Sequence, residues 1–185
     1  MRPRDRSCRT SVLLALGTMV LGAVLAVVKG RDYGLGYFVG NLSTPYLLAA
    51  FFAGRTVGSR AGAALVGVLM TWLTLAAFYV TAEAVFGYPS GSMTRFYAEW
   101  FLAGALSGTV LGLLGRKSRE RPRLRYVLPL ALVLEPFAVV AVQAAGRFGG
   151  LNPRGFQLTA WAGEILVGCL ALGITRLRSR RAQAA

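Results

Sequence analysis

Six apolar runs separated by short polar links make up most of this chain. The runs cover residues 11–28, 35–53, 61–86, 96–115, 126–145 and 157–175. Each is close to the ~20 residues that a helix needs to cross the hydrocarbon core of a bilayer. Because the links are too short to form another folded unit, the pattern predicts an all-α fold. We expect a polytopic membrane bundle of six transmembrane helices, with residues 1–185 forming a single domain.

The first run also has features of a signal peptide, since a positively charged segment precedes it. It is long for the apolar part of a signal peptide, however, and no A-x-A cleavage site follows it. We therefore interpret residues 11–28 as the first transmembrane helix.

The basic residues alternate from one side of these runs to the other. Of the 21 Lys and Arg residues, sixteen lie before the first run, in the second and fourth links and in the C-terminal tail, and five lie in the remaining links. Short cytoplasmic loops carry an excess of Lys and Arg. The distribution therefore predicts a multi-pass protein of the cell membrane with both termini in the cytoplasm.

Composition agrees with a membrane protein and bears on its partners. Only 15% of the residues are charged, against about 25% in soluble domains. A net charge of +14 is also typical of proteins that bind nucleic acid. The arginines lie in the short links where the membrane rule places them, so we predict the lipid bilayer as a partner and no nucleic acid.

The residues that most enzymes and metal sites require are scarce. The chain has no histidine, and its two cysteines, Cys8 and Cys169, lie in the basic N-terminus and the last apolar run. It also lacks the glycine-rich nucleotide motifs, G-x-S-x-G and H-E-x-x-H. We therefore expect no enzymatic activity, no cofactor and no metal.

Two carboxylates lie deep inside apolar runs, away from the run ends. Glu135 is near the middle of the fifth run and precedes Pro136, and Glu164 lies within the sixth. A charged side chain at mid-depth costs about 2.5–3.5 kcal/mol on insertion scales. Such residues usually face the interior of the bundle or a cavity, so both are candidates for a binding site. If the two lie close together, we expect one of them to carry a proton, because like charges in a low dielectric repel.

Helical phase suggests further residues around this pair. Asn41 and Thr44 share one face of the second run, and Trp161 and Glu164 share one face of the sixth. Gln143 lies close to the phase of Glu135 on the outward side. We therefore predict an outward-facing polar cavity that binds substrate. Its lining residues are predicted to be Glu135, Glu164, Asn41, Thr44, Trp161 and Gln143.

Each polar feature also has a structural explanation. Glu135 and Glu164 can hold helices together without binding a ligand, and Glu83 and Glu99 lie near run ends, at the depth of lipid headgroups. Gly104, Gly108 and Gly112 form a G-x-x-x-G-x-x-x-G ridge that permits close helix contact. We expect that ridge to pack within the chain rather than to form a dimer.

Two resemblances follow from these patterns. The segments NLSTPYLLAAFFAGRTVGSRAGAALVG, AEWFLAGALSGTVLG and LVLEPF resemble a family of small actinobacterial six-span membrane proteins of unknown function, which implies no activity. The six runs, cytoplasmic termini and outward polar site resemble the substrate-binding subunits of energy-coupling-factor transporters. That resemblance implies a membrane coupling subunit and an ATPase as partners, docked on small residues of the first run. The small residues here are Ala15, Gly17, Gly22, Ala23 and Ala26.

These observations favour binding or transport of a small solute through the outward-facing cavity. Carboxylates beside an aromatic face suit a cationic solute. The alternative is a non-transporting membrane scaffold or accessory subunit in which the polar groups only connect helices. A third hypothesis is proton-coupled transport by the protein alone, with Glu135 as the proton carrier.

Overall fold

The structure is a computed structural model that describes residues 3–31, 34–87, 94–144 and 155–184. Every regular element in these ranges is helical, which confirms the prediction of an all-α fold. The helices are α1 (Pro3–Lys29), α2 (Leu35–Gly40), α3 (Thr44–Thr56), α4 (Arg60–Phe86), α5 (Thr94–Lys117), a 3-10 helix (Pro122–Tyr126), α6 (Val127–Ala144) and α7 (Gly155–Ala184).

Within the described ranges, five helical segments are long and apolar enough to cross a membrane. They are Val12–Lys29, Arg60–Phe86, Ala98–Lys117, Pro122–Ala141 and Gly155–Leu177. Only 17% to 39% of each segment is buried inside the protein, and large apolar side chains such as Leu13, Leu65 and Leu102 point outward. An apolar surface of this extent is typical of proteins whose solvent is lipid.

The second apolar run is divided into two short helices. Helix α2 ends at Gly40, and α3 begins at Thr44. Pro45 lies in the first turn of α3, where a residue without an N–H group interrupts no helical hydrogen bond. The sequence Ser43-Thr44-Pro45 is thus a helix start in the middle of an apolar run. The break at residues 41–43 differs from the continuous helix over residues 35–53 that was predicted from the apolar run.

Helix α4 packs against α1 on one side and α5 on the other. A side chain on Gly108 would collide with the backbone of Gly67, and one on Gly112 would collide with the backbone of Ala63. Close approach of the two backbones therefore requires glycine at these positions. The glycine ridge of α5 packs within the chain, as predicted.

The links meet in two groups at opposite ends of the helices. Arg55 Nη1 donates to Ser118 Oγ at 3.1 Å, and Arg116 Nε donates to the Gly58 carbonyl at 2.7 Å, so the second and fourth links lie together. At the other end, Arg31 Nε donates to the Phe86 carbonyl at 2.8 Å. The most basic described links therefore share one end of the fold.

Helices α6 and α7 form an antiparallel pair. Gly168 of α7 lies against Leu132 and Pro129 of α6, and Tyr126, just before α6, has its Oη 3.4 Å from Ser179 Oγ further along α7. This pair meets the other helices through α2 against α7, α3 against α6, and the 3-10 helix. We call the contact between the α6–α7 pair and the other helices the seam. The break between α2 and α3 lies at the seam.

Candidate functional site

Glu135 reaches from α6 to the start of α3. It is the ninth of the 18 residues of α6, and buried Pro136 follows it. Its Oε1 accepts from the backbone N–H and the hydroxyl of Ser43, both at 2.5 Å. Its Oε2 accepts from the backbone N–H of Thr44 at 2.8 Å and also from the Thr44 hydroxyl. Both carboxylate oxygens are thus bound by the two residues at the start of α3.

The start of a helix is well suited to receive a carboxylate. The first turn leaves backbone N–H groups without partners in the helix, and the aligned peptide dipoles place about half a positive charge there. Ser43 is the N-cap residue of α3, but its side chain makes no capping bond to its own helix. Glu135 from another helix therefore caps α3. The 13-residue length of α3 gives it a full dipole to stabilise that charge.

Glu164 completes a buried carboxyl pair. Its side chain is 4% exposed, and Thr44 is 1% exposed. Glu164 Oε1 lies 3.2 Å from Thr44 Oγ1, which also bonds to Glu135 Oε2, so the two carboxyl groups meet at the Thr44 hydroxyl. The second oxygen, Oε2, is buried and has no hydrogen-bond partner among the described residues. The pair and Thr44 therefore form one polar cluster between α3, α6 and α7.

The structure brings three of the six predicted site residues into direct contact, namely Thr44, Glu135 and Glu164. Trp161 is buried one helical turn before Glu164, on the same face of α7. Asn41 is not part of the cluster, because it lies in the break, is exposed, and donates to the Tyr37 carbonyl at 2.8 Å. Gln143 belongs to α6, but its side chain lies outside the described part of the structure.

Ser43 is a site residue that the sequence-based prediction did not include. It supplies two of the four hydrogen bonds to Glu135. The signal for it was present, since Ser followed by Thr-Pro is typical of a helix N-terminus. Treating residues 35–53 as one helix hid that signal.

An aromatic contact with a cation occurs near the α2 side of the seam. The Lys29 ammonium lies 5.4 Å from the ring centres of both Tyr37 and Phe78. This basic residue of the first link is thus held over aromatic faces. Two other helical carboxylates, Glu83 and Glu99, are exposed and lie apart from the Glu135–Glu164 pair.

A separate cavity of about 340 Å³ lies at the basic end of the fold. Its lining residues are Val57, Gly58, Arg116, Arg119 and Glu120. Arg116 lies 3.5 Å from the Glu120 carboxylate, and Arg119 donates to the Arg55 carbonyl. Since these cations already have acceptors and no predicted site residue is present, the carboxyl cluster is the stronger candidate site.

Comparison with protein-family models, with curated proteins and with solved structures gave no match.

Proposed function

We propose that this chain is a multi-pass protein of the cell membrane with six crossings and both termini in the cytoplasm. Helices α2 and α3 together form the second crossing, which is interrupted at residues 41–43. The excess of Lys and Arg in alternate links supports this topology. The contacts that join the second and fourth links at one end, and Arg31 to Phe86 at the other, support it further.

We further propose that the protein binds or transports a small cationic solute that approaches Glu135 and Glu164 from outside. The observation that carries this proposal is a buried carboxyl pair at a helix break. Irregular backbone at membrane depth is tolerated where it is buried in protein or lines a cavity. In transporters, broken helices with their ends at the binding site are a recurring arrangement. Glu135 is the ninth of the 18 residues of α6, and Glu164 is the tenth of the 23 residues of the apolar segment Gly155–Leu177, so both lie close to the expected bilayer midplane.

The electrostatics of the cluster favour a positively charged ligand. Four donors and the α3 dipole already compensate the Glu135 carboxylate. The Glu164 carboxyl lacks that compensation, and its Oε2 has no hydrogen-bond partner among the described residues. Trp161, one turn away, adds an aromatic side chain suited to a cation.

A binding screen tests this function. Purified protein in lipid nanodiscs is titrated with a panel of labelled amines, quaternary ammonium ions and guanidinium compounds. At least one class is expected to bind wild type, and Glu135→Gln and Glu164→Gln are expected to weaken that binding tenfold or more. Glu83→Gln is the matched control, because Glu83 is an exposed helical carboxylate. Equal binding by wild type and both site variants would contradict the proposal.

The second candidate is a membrane scaffold or accessory subunit. One observation favours it: Glu135 joins α6 to α3 through four hydrogen bonds, which is what a purely structural carboxylate does. Under this alternative, Glu135→Gln lowers the melting temperature, and no member of the panel binds wild type. Binding that depends on Glu164 favours the solute-binding function instead.

The resemblance to energy-coupling-factor subunits suggests a coupling partner with an ATPase. Two of the small residues of the first run face the interior of this protein. Gly22 lies against the backbone of Thr74, and Ala26 is buried. At Gly17, the methyl group of an alanine would meet no neighbouring atom within 4 Å. A partner that docks on α1 would therefore contact the face that contains Gly17.

A further inference from the structure

We propose that the Glu135–Glu164 pair holds one monovalent cation, either a proton or an alkali-metal ion, in the closed arrangement of this structure. The inference rests on the proposed function and specifies the ion at the same site. The cation would lie against the buried oxygens of Glu164, where Thr44 and Glu135 also meet.

Hydrogen-bond geometry leads to this inference. The Thr44 hydroxyl has one hydrogen to donate, and it contacts both Glu135 Oε2 and Glu164 Oε1. One hydrogen cannot serve both contacts, and when it is donated to Glu135 none is left for Glu164 Oε1. Thr44 Oγ1 then presents a lone pair to Glu164 Oε1, and two oxygens facing each other without a hydrogen or a cation repel. A positive charge at Glu164 removes that repulsion.

The second oxygen of Glu164 is independent evidence for a bound cation. Oε2 is buried in a side chain that is 4% exposed, and it has no partner among the described residues. A buried carboxylate oxygen without a partner is costly, since it has lost its hydration. A proton on this carboxyl, or an ion coordinated by it, satisfies the group.

The ion should carry a single charge. Glu135 is already compensated by four donors and by the positive end of α3. The uncompensated charge is that of Glu164 alone, which one monovalent ion neutralises. Burial of the site also favours a small ion. Thr44, Trp161 and Glu164 are all buried, so an organic solute could reach the pair only after the helices separate.

Other ionisable groups near Glu164 are few. On the described elements that pack against α7, these are Glu135 of α6, Tyr37 of α2, and Tyr126 with two arginines of the 3-10 helix. The arginines of the 3-10 helix lie at the far end of the α6–α7 pair. A pH effect that depends on Glu164 therefore reports on the carboxyl pair.

Thermal unfolding of purified protein in nanodiscs tests the inference. The melting temperature is measured in NaCl, KCl or choline chloride at equal ionic strength, and from pH 5 to pH 8. If an alkali ion binds, that salt raises the melting temperature above the choline value by about 3–6 °C at ten times the dissociation constant. If the site takes a proton, the melting temperature falls as the pH rises, and the three salts give equal values.

Either response is expected in wild type and in Glu83→Gln, and is expected to be lost in Glu164→Gln. Thr44→Ser should keep the response, and Thr44→Val should reduce it, because only serine retains the hydroxyl. Wild type that responds to neither cation nor pH would overturn the inference, and so would a response that Glu164→Gln retains. If the Glu164 variant fails to fold, a response that Thr44→Val retains in full would overturn the inference instead.

This result is separate from the test of solute binding. A cation or proton response without binding of any organic cation would support the ion site and contradict the proposed organic solute. Organic cation binding without a cation or proton response would support the proposed function and contradict the ion site.

Discussion

Ser43 and Thr44 determine the chemistry of the seam at the level of single residues. Each places both a backbone N–H and a hydroxyl on the Glu135 carboxylate. Hydrogen bonds to a charged group contribute about 1.5–3 kcal/mol when one partner is removed. These two residues therefore stabilise a carboxylate that the membrane interior would otherwise exclude.

Ser43→Ala removes one hydroxyl donor and leaves the backbone N–H in place. We expect a loss of stability of about 1–2 kcal/mol, seen as a lower melting temperature in nanodiscs. Ser107→Ala is the matched control, since the Ser107 hydroxyl bonds only to carbonyls of its own helix. Equal effects of the two substitutions would show that Ser43 does not stabilise Glu135.

The sequence predicted part of this cluster and missed part of it, for identifiable reasons. Glu135 and Glu164 were predictable because a carboxylate inside an apolar run has few acceptable positions. Asn41 was grouped with Thr44 because a four-three spacing shares a face only in a continuous helix. Once the helix breaks at residues 41–43, that phase relation no longer holds, and Ser43 rather than Asn41 meets Glu135.

Helix contacts in this protein depend on glycine where backbones approach closely. The α4–α5 contact is made by Gly67 against Gly108 and by Ala63 against Gly112. Without a hydrophobic driving force between helices in lipid, such close packing is a main source of association. The spacing predicted the ridge, but which helix receives it required the tertiary fold.

Gly112→Ala tests this contact. The added methyl group would fall on the Ala63 carbonyl and lie 3.2 Å from the Gly67 Cα, so α4 and α5 must separate. We expect a loss of several kcal/mol, or no folded protein, measured as the yield of monodisperse protein and its melting temperature. Gly163→Ala is the control, because its methyl group meets nothing within 4 Å. It should be neutral, or more stable by up to about 1 kcal/mol. Similar behaviour of the two variants would refute the packing role.

At the scale of the whole molecule, the carboxyl cluster lies between α3 of the first five helices and the α6–α7 pair. The two ends of the molecule differ in charge, because the described links rich in arginine meet at one end. Apolar runs are local properties, so the sequence predicts the helices well, and the charge bias supplies the proposed topology. The start of α3 and Glu135 are more than ninety residues apart in the chain, and only the fold brings them together.

Cysteine labelling tests the proposed topology. Gly34 and Gly58 both lie in links where a side chain meets no atom within 4 Å. In a background with Cys8 and Cys169 replaced by serine, Gly34→Cys should react with a membrane-impermeant maleimide on intact cells. Gly58→Cys should react only after permeabilisation. The reverse pattern, or labelling of both sites on intact cells, would contradict six crossings with cytoplasmic termini.

A side-chain-resolution map of the wild-type protein in lipid nanodiscs tests the central claim most directly. We predict a helix interrupted at residues 41–43, with the Glu135 carboxylate bonded to the Ser43 and Thr44 N–H groups. We also predict the Glu164 carboxyl beside that of Glu135, with the Thr44 hydroxyl in reach of both. An unbroken helix from residue 35 to residue 56, with Glu135 turned toward lipid and separated from Glu164, would contradict the account.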